Sequence, residues 1–369
     1  MFYRETGQFK TAYAADEAIF PIAQDRWFVL ALIAFAFLCV PLFASPYLYT
    51  EVLIPVLILS IAAIGLNILT GYCGQVSLGT GGFMAVGAYA AYNLALRLPD
   101  TNLILVFLFA GVMAMLVGML FGLPSLRIKG FYLAVATLAA QFFLEWAFAR
   151  VKWFTNYAPS GSVAVGRIEL FGISIDTPSR FWLGDIHVSL DPSAKRYLLI
   201  LAIAVVLALT AKNLVRGRIG RMWMAMRDMD IAAEIIGIRP LHAKLSAFAV
   251  SSFYIGIAGA LWGFFRLGSW EPLAFDINRS FQVLFMVIIG GLGSILGSFL
   301  GAAFIVLVPI FLNQLPQWLG IPISTATISH IEFMVFGAMI VFFLVAEPNG
   351  FARLWAIGKE KLRLWPFPY

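Results

Sequence analysis

Long apolar runs recur along almost the whole sequence, separated by short polar stretches. Most of them approach the roughly 20 apolar residues that an α-helix needs to cross a hydrocarbon core about 30 Å thick. They do not alternate apolar and polar residues as the strands of a membrane barrel do. Charged residues make up 12% of the chain, about half of what a soluble domain carries. The sequence therefore predicts an all-α fold, a polytopic helical bundle in a membrane.

About ten apolar segments, including broken or re-entrant helices, make up the predicted bundle. They are residues 27–45, 52–70, 82–96, 103–122, 131–149, 197–211, 245–267, 281–289, 295–312 and 328–345. The eighth run is too short to cross a bilayer alone. We expect one transmembrane domain over residues 26–350, with an N-terminal tail of residues 1–25 and a C-terminal tail of residues 351–369. The first tail lacks the short apolar core and cleavage site of a signal peptide.

The distribution of basic residues predicts the orientation. Sixteen of the 25 Lys and Arg residues fall on one side if the N-terminus is cytoplasmic, and membrane proteins concentrate these residues inside. We therefore expect a multi-pass protein of the cell inner membrane with both termini and residues 212–244 in the cytoplasm. The net charge of +6 arises between spans, so it does not indicate a nucleic-acid partner.

Two glycine-rich stretches, residues 71–82 and 290–297, interrupt the helical pattern. Paired interruptions in the two halves of a transporter point to its translocation path, but small residues also allow helices to pack closely without any solute. Both interpretations stay open. A path lined by small polar residues suits a small polar or zwitterionic solute. The candidate path residues are Asn67, Gly71, Gly74, Gln75, Ser77, Gly79, Gly290, Gly291 and Gly293, with Thr80 and Asn93 as further polar candidates.

Residues 151–196 differ from the rest of the chain because they are rich in turn residues and contain short alternating stretches. This pattern predicts a small periplasmic cap with hairpin structure. The cap is either a lid or a docking surface for a soluble partner, and its aromatic and basic side chains suit docking. These are Trp153, Trp182, Arg167, Arg180, Lys195 and Arg196.

Residues 212–244 form a polar stretch with seven Lys and Arg residues between two apolar runs. Within it, helical spacing predicts one amphipathic helix over residues 220–236, ended by Gly237. The residues of its apolar stripe are Met222, Met226, Met229, Ala233 and Ile236. A basic amphipathic helix can lie on the inner leaflet, but anionic lipid would repel Asp228, Asp230 and Glu234, so a protein partner fits better.

The stretch AMRDMDIAAEIIGI, residues 225–238, resembles the cytoplasmic coupling motif of ABC importer permeases of the branched-chain amino-acid and urea type. Residues 71–79, 281–297 and 347–350 are also similar to that family, and together the matches extend over nearly the whole of residues 27–350. The resemblance implies the longer, M-type permease of a heteromeric pair. It also implies coupling to an ATPase through Ala225, Arg227, Asp228, Ala232, Ala233, Glu234 and Gly237.

The implied partners are ABC ATPase subunits, a second permease subunit, a periplasmic substrate-binding protein and membrane lipid. A secondary transporter is the alternative function, because such proteins also contain broken helices. It would use intramembrane ionisable residues, and the few present, such as Glu145 and Glu332, fall near predicted span ends. We expect no catalytic residues, no metal and no cofactor, since the sequence shows neither a phosphate-binding G-x-x-x-x-G-K-[ST] loop nor a cluster of His or Cys.

Overall fold

The computed structural model describes residue 11 and residues 23–125, 132–158, 161–166, 169–170, 173–183, 186–319, 325–347 and 349–364. The helices before residue 151 are α1 (Ala23–Leu38), α2 (Val40–Phe43), α3 (Ile54–Asn67), α4 (Thr80–Arg97), α5 (Leu103–Ser125) and α6 (Tyr132–Arg150). The later ones are α7 (Pro192–Arg216), α8 (Arg218–Asp228), α9 (Asp230–Ile235), α10 (Pro240–Leu261), α11 (Ile277–Gly290), α12 (Ile295–Leu319), α13 (Thr325–Ala346) and α14 (Gly350–Leu364).

Eight helical stretches of the described chain are long and apolar enough to cross a membrane. They cover eight of the ten predicted segments, and the other two, residues 82–96 and 328–345, coincide with α4 and α13. The predicted polytopic helical bundle is therefore confirmed.

The length predicted for the eighth segment was wrong. Helix α11 begins at Ile277, and a 3₁₀ turn at Pro272–Phe275 leads into it, so the candidate span is Pro272–Gly290, 19 residues long. The helix starts early because the Asp276 carboxylate accepts a hydrogen bond from the backbone N–H of Arg279 at 3.2 Å. Such a cap satisfies a free amide of the first turn, which allows the helix to begin among polar residues that hydropathy alone leaves out.

Helices α3 and α10 form the centre of the bundle. In the apolar stretch that contains α3, 78% of the residues are buried, and in the stretch that contains α10 the share is 83%. In the first span, Gln24–Phe43, none of the residues is buried. The exposed side chains of that first span include Trp27, Phe35 and Phe43. An apolar helix that is exposed on nearly all sides belongs in lipid or against a partner helix.

Glycine allows α4 and α10 to pack backbone to backbone. The two helices run in the same direction, since Phe83 contacts Phe248 near their beginnings and Tyr92 contacts Trp270 beyond the end of α10. A Cβ atom on Gly259 would overlap the backbone of Met84. Small residues at such crossings let membrane helices gain close van der Waals contact.

Gly259→Val is therefore expected to destabilise the bundle, because overpacking a tight contact costs about 1–3 kcal/mol or more. Thermal unfolding of the purified protein in detergent should show a lower midpoint. Gly337→Val is the matched control, since Gly337 also lies in a long helix but has no atom within 4 Å of an added Cβ. Equal midpoints for the two variants would contradict the packing argument.

Two parts of the chain repeat one pattern. A central helix ends in a π-helical turn, at Ile68–Tyr72 after α3 and at Trp262–Leu267 after α10. An extended segment follows, with a glycine of positive φ: Gly74 at 71° and Gly268 at 69°. A new helix, α4 or α11, then begins. The second of these segments, residues 268–276, was not recognised in the sequence.

The two repeats point in opposite directions. The carboxylate of Glu51, just before α3, forms an ion pair with Arg266, just after α10, at 2.7 Å. Further along, Gly65 of α3 lies against Ser251 of α10. The central helices are therefore antiparallel, and the repeat is inverted. Transporters with this architecture place their solute where the two interrupted helices meet.

Small sheets gather at one end of the bundle, which we call the cap end. The longest is a hairpin of β4 (Ser179–Leu183) and β5 (Ile186–Leu190), after a pair formed by β2 (Glu169–Leu170) and β3 (Ile173–Ser174). Strand β1 (Val163–Ala164) pairs with β6 (Ser269–Trp270), which ties this region to the chain after α10. The hairpin structure predicted here is present, and the periplasmic location of the cap stays a prediction.

Candidate functional site

Asn67, the last residue of α3, connects the first interruption to the second. Its side chain is 1% exposed. Its Oδ1 atom accepts from Gly293 N at 2.8 Å, and its Nδ2 lies 2.8 Å from Ser294 O, 3.0 Å from Ser298 Oγ and 3.4 Å from Gly291 O. One amide thus satisfies polar groups at the break between α11 and α12. Buried backbone groups left unpaired would cost free energy, so this side chain holds the two interruptions together.

Arg227, near the end of α8, reaches the same place. Its Nη1 atom donates to Gly71 O at 2.9 Å, and its Nε donates to the neighbouring Asp228 at 3.0 Å. A Cβ on Gly74 would lie 3.0 Å from Arg227 Cγ, and one on Gly293 would lie 3.4 Å from Arg227 Nη1. We call the cluster of Asn67, Gly71, Arg227 and Gly293 the junction. The predicted coupling segment therefore contacts both interruptions directly.

The start of α14 also packs against the second interruption. Gly291 has φ at 117° and Gly350 has φ at 62°, a region that favours glycine. A Cβ on Gly350 would lie 2.5 Å from Ile289 O, and one on Gly291 would overlap Asn349 O. This contact explains why residues 347–350 need a glycine, and it adds a third chain segment beside the junction.

A second polar cluster lies deeper in the bundle, where α4 begins. Gln141 of α6 is fully buried, and its Oε1 accepts from Gly82 N and from Ser280 Oγ, while its Nε2 donates to Phe275 O at 2.8 Å. Ser280 Oγ also accepts from Gly81 N at 2.8 Å. We call Gln141, Ser280, Gly81, Gly82 and Phe275 the polar node. It satisfies the free amides at the start of α4 with side chains from α6 and α11.

The junction and the polar node lie at different depths. Ser280 and Gly290 are on the same helix, ten residues apart, which corresponds to about 15 Å along its axis. Residues 73–79, which are not helical, therefore climb about half the thickness of a hydrocarbon core. The chain is re-entrant here, as the sequence predicted.

The predicted path residues fall into three groups. Asn67, Gly71, Gly74, Gly291 and Gly293 lie at or beside the junction, and Gly290 packs against Gly297 next to it. Ser77, Gly79 and the largely buried Gln75 lie along the re-entrant segment, and Thr80 begins α4 beside the polar node. Asn93 is apart from both groups, because its Nδ2 donates to Tyr89 O and to Phe154 O, each at 2.9 Å, near the cap end. Their role in solute passage stays a prediction.

Three buried polar residues of this region were not predicted from the sequence: Gln141, Ser280 and Thr137. Thr137 Oγ1 accepts from Leu78 N at 2.9 Å, so it supports the re-entrant segment from α6. The available signal was weak: single polar residues inside apolar runs. Such residues in a membrane span need a buried partner, and these have one.

The prediction of one amphipathic helix over residues 220–236 was wrong. The chain is extended at Met229, with φ at −160° and ψ at 97°, so α8 ends and α9 begins around it. Asp230 then starts α9, where a carboxylate is favoured, and it pairs with Lys244 at 2.8 Å. This ion pair holds the start of α9 against α10.

The break at Met229 also splits the predicted apolar stripe. Met226 and Ala233 are buried in a small cluster with Ala243 of α10. Met229 is 66% exposed and Ile236 is 74% exposed. The stripe therefore does not form one face, and the helix pair presents apolar side chains outward instead.

The end of α9 is as predicted. Gly237 has φ at 92°, its N–H bonds to Glu234 O, and Ile238 N–H bonds to Ala233 O. These two bonds form a Schellman motif, a frequent helix stop at glycine. The exposed surface around it includes Asp228, Ala232 and Glu234 and the apolar side chains Met229, Ile231, Ile235 and Ile236, whereas Ala225 is partly buried. An apolar patch of this kind outside the spans marks a protein contact.

Over the described ranges, no group of three or more His, Cys, Asp and Glu side chains is placed to hold a metal ion. Cys39 and Cys73 are free thiols.

The fold consists of membrane-spanning helices, two of which are interrupted, around a buried polar centre. These features define a polytopic helical membrane protein. The family model described as "Branched-chain amino acid transport system / permease component" matches residues 48–344. The chain belongs to this family.

The chain is 29% identical over 302 residues to the high-affinity branched-chain amino acid transport system permease protein LivM of Escherichia coli (strain K12). It is equally similar to the protein of that name from Salmonella typhimurium. Each match covers 79% of this chain and 66% of the relative, just under two thirds of the relative's length. A probable LivM of Methanocaldococcus jannaschii is 24% identical over 288 residues, 74% of this chain and 76% of the relative. No solved structure matches the chain at a significant level.

Asn67→Leu is expected to uncouple the two interruptions, because it leaves Gly293 N and Ser294 O buried without their partner, at about 1–3 kcal/mol for each group. Solute uptake by vesicles carrying the variant should fall severalfold at an equal protein level. Asn313→Leu is the matched control, since Asn313 is exposed on α12 and bonds only within its own helix. Unchanged uptake for Asn67→Leu would show that the junction is not needed for transport.

Proposed function

We propose that this protein is the permease subunit of an ATP-driven importer that carries branched-chain amino acids across the cell inner membrane. It has no catalytic role itself, and separate ABC ATPase subunits hydrolyse ATP. The family description and the LivM relatives support the solute class. The hydrogen bond from Arg227 to Gly71 O is the observation that carries the mechanism, because it joins an exposed helix pair to an interruption in the membrane.

The exposed surface of α8 and α9 is the ATPase contact in this proposal. The apolar side chains Ile231, Ile235 and Ile236 would be buried on docking, which supplies affinity. Asp228 and Glu234 are exposed at the same surface and would pair with basic groups of the ATPase. A displacement of α8 reaches Gly71 directly through Arg227.

The orientation follows from this assignment. The termini and residues 212–244 face the cytoplasm, residues 151–196 face the periplasm, and a second permease subunit completes the membrane domain. The exposed apolar faces of the outer helices contact lipid or that subunit.

A periplasmic substrate-binding protein is the partner proposed for the cap. Arg167 lies outside the described residues, as does the side chain of Arg180. Two other basic residues of the cap form bonds within this chain: Arg196 pairs with Asp176 at 2.6 Å, and Lys195 donates to Ser174 O at 3.4 Å. These contacts fix the cap on α7 and leave its remaining surface for docking.

Reconstitution tests the proposed function. Vesicles containing this chain, the second permease and the ATPase should take up leucine, isoleucine or valine when given the liganded binding protein and internal ATP. Omitting ATP or the ATPase should abolish uptake. Uptake driven by an ion gradient without ATP would instead support a secondary transporter and overturn the proposal.

Glu234→Lys is expected to weaken docking of the ATPase, because the substitution reverses an exposed charge next to the apolar contact surface. Less ATPase should co-purify with the permease, and uptake should fall in proportion. The loss should be about 1 kcal/mol or more if the partner group is basic. Glu360→Lys, an equally exposed reversal on α14, should leave both measurements unchanged. Co-purification at the original yield for Glu234→Lys would place the ATPase contact elsewhere.

A further inference from the structure

Arg279 places a positive charge inside a candidate membrane span. It lies in the first turn of α11, within Pro272–Gly290. Eleven residues separate it from Gly290, which corresponds to about 16 Å along the helix, or about half of a hydrocarbon core. A charge at this depth is costly and in membrane proteins usually has a function.

The guanidinium group of Arg279 is only partly compensated. Its Cζ atom lies 4.5 Å from the centre of the Trp262 ring, and its Nη1 donates to Gln282. It forms no ion pair with any residue of the described chain, and its Nε is buried without a hydrogen-bond partner. By contrast, both terminal nitrogens of Arg266, the next arginine towards the cap end, bond to the Glu51 carboxylate, at 3.1 and 2.7 Å.

The nearest carboxylate, that of Asp276, is already engaged. Its Oδ1 accepts from the backbone N–H of Arg279 at 3.2 Å, and its Oδ2 accepts from Asn278 Nδ2 at 2.6 Å. It thus caps α11, and its charge attracts the guanidinium group without forming a salt bridge in the described part of the chain. The Nε atom of Arg279 remains unpaired among the described residues, so a carboxylate that reached it would gain a charge-assisted hydrogen bond.

Further polar groups around the start of α11 also lack partners within the described chain. The first turn of α4 abuts the first turn of α11, since Gly81 N donates to Ser280 Oγ and a Cβ on Gly81 would lie 2.7 Å from Asp276 O. The start of α4 therefore meets the first turn of α11, which carries Arg279. The hydroxyl of Thr80, which is fully buried, and the indole N–H of Trp262 have no hydrogen-bond partner among the described residues.

We propose that Arg279 binds the carboxylate of the amino acid as it passes beside the start of α11. The inference rests on the proposed function and adds a recognition residue to it. The solute carboxylate supplies the hydrogen-bond acceptor that the Arg279 Nε atom lacks among the described residues. The aromatic face of Trp262, only 6% exposed, holds the guanidinium in the interior, which favours a solute over a carboxylate of a second subunit.

The test uses the complete purified transporter in lipid nanodiscs. Saturation-transfer NMR without the binding protein measures the binding of leucine and of leucinamide, which keeps the side chain and ammonium group but lacks the carboxylate. Vesicle uptake of leucine is measured at saturating liganded binding protein. The variants are Arg279→Gln and Arg279→Lys. Arg97→Gln is the matched control, since Arg97 also stacks on a tryptophan, 3.8 Å from the ring of Trp153, but is exposed near the cap end.

Loss of a charge-assisted bond corresponds to about a tenfold or greater loss of affinity. Arg279→Gln should weaken leucine binding by about tenfold and reduce maximal uptake, without changing the half-saturating concentration of the binding protein. Arg279→Lys should restore part of the leucine binding and part of the uptake. Arg97→Gln should bind leucine as the wild type does. The wild type should bind leucine in clear preference to leucinamide.

Three results would each overturn the proposal that Arg279 binds the solute carboxylate. They are equal binding of leucine and leucinamide, wild-type uptake by Arg279→Gln, and loss of the second permease subunit from the purified Arg279→Gln transporter. The last would assign Arg279 to a carboxylate of the partner. If the wild type takes up no branched-chain amino acid at all, it is the proposed function that fails, and the two failures are therefore distinguishable.

Discussion

A helix that stops inside a membrane leaves backbone N–H and C=O groups unpaired, and these groups have to find partners within the protein. This chain is arranged around that constraint. At the second interruption Asn67 bonds to Gly293 and Ser294. At the start of α4, Gln141 and Ser280 bond to Gly82 and Gly81. Without these side chains neither interruption could persist at its depth. The tight glycine contacts of the central helices serve the same end, because they bring the side chains within reach.

The parts of this fold that could be predicted from the sequence are those that depend on local composition. The spans follow from apolar runs, and the interruptions follow from glycines that membrane helices otherwise use only for packing. The stop at Gly237 follows from its residue type, because glycine alone adopts a φ of 92° without strain. Each of these features needs only neighbouring residues to specify it.

The rest depends on contacts between distant residues. Gln141 bonds to groups 59 and 139 positions away, so no periodicity reveals its role. The break at Met229 depends on the pair of Asp230 with Lys244, which lies on another helix. The amphipathic pattern of residues 220–236 was real, but it served two helices in different orientations. Helix α11 was predicted too short for a different reason, because its cap at Asp276 is a local signal that hydropathy does not register.

Helix α11 connects the polar node to the junction, so a movement at the junction can reach the polar node. Its first turn carries Ser280 at the polar node, and its last residue, Gly290, leads directly into the interruption held by Asn67. The helix is uninterrupted between these points, and a continuous α-helix of this length moves nearly as a rigid rod. A displacement of Arg227 that shifts Gly71 also shifts Asn67 and hence the end of α11. The start of α11, with Arg279, then has to move against the start of α4. Exposed helices at one end of the bundle can in this way change the geometry about 15 Å away, without any flexible linker between them.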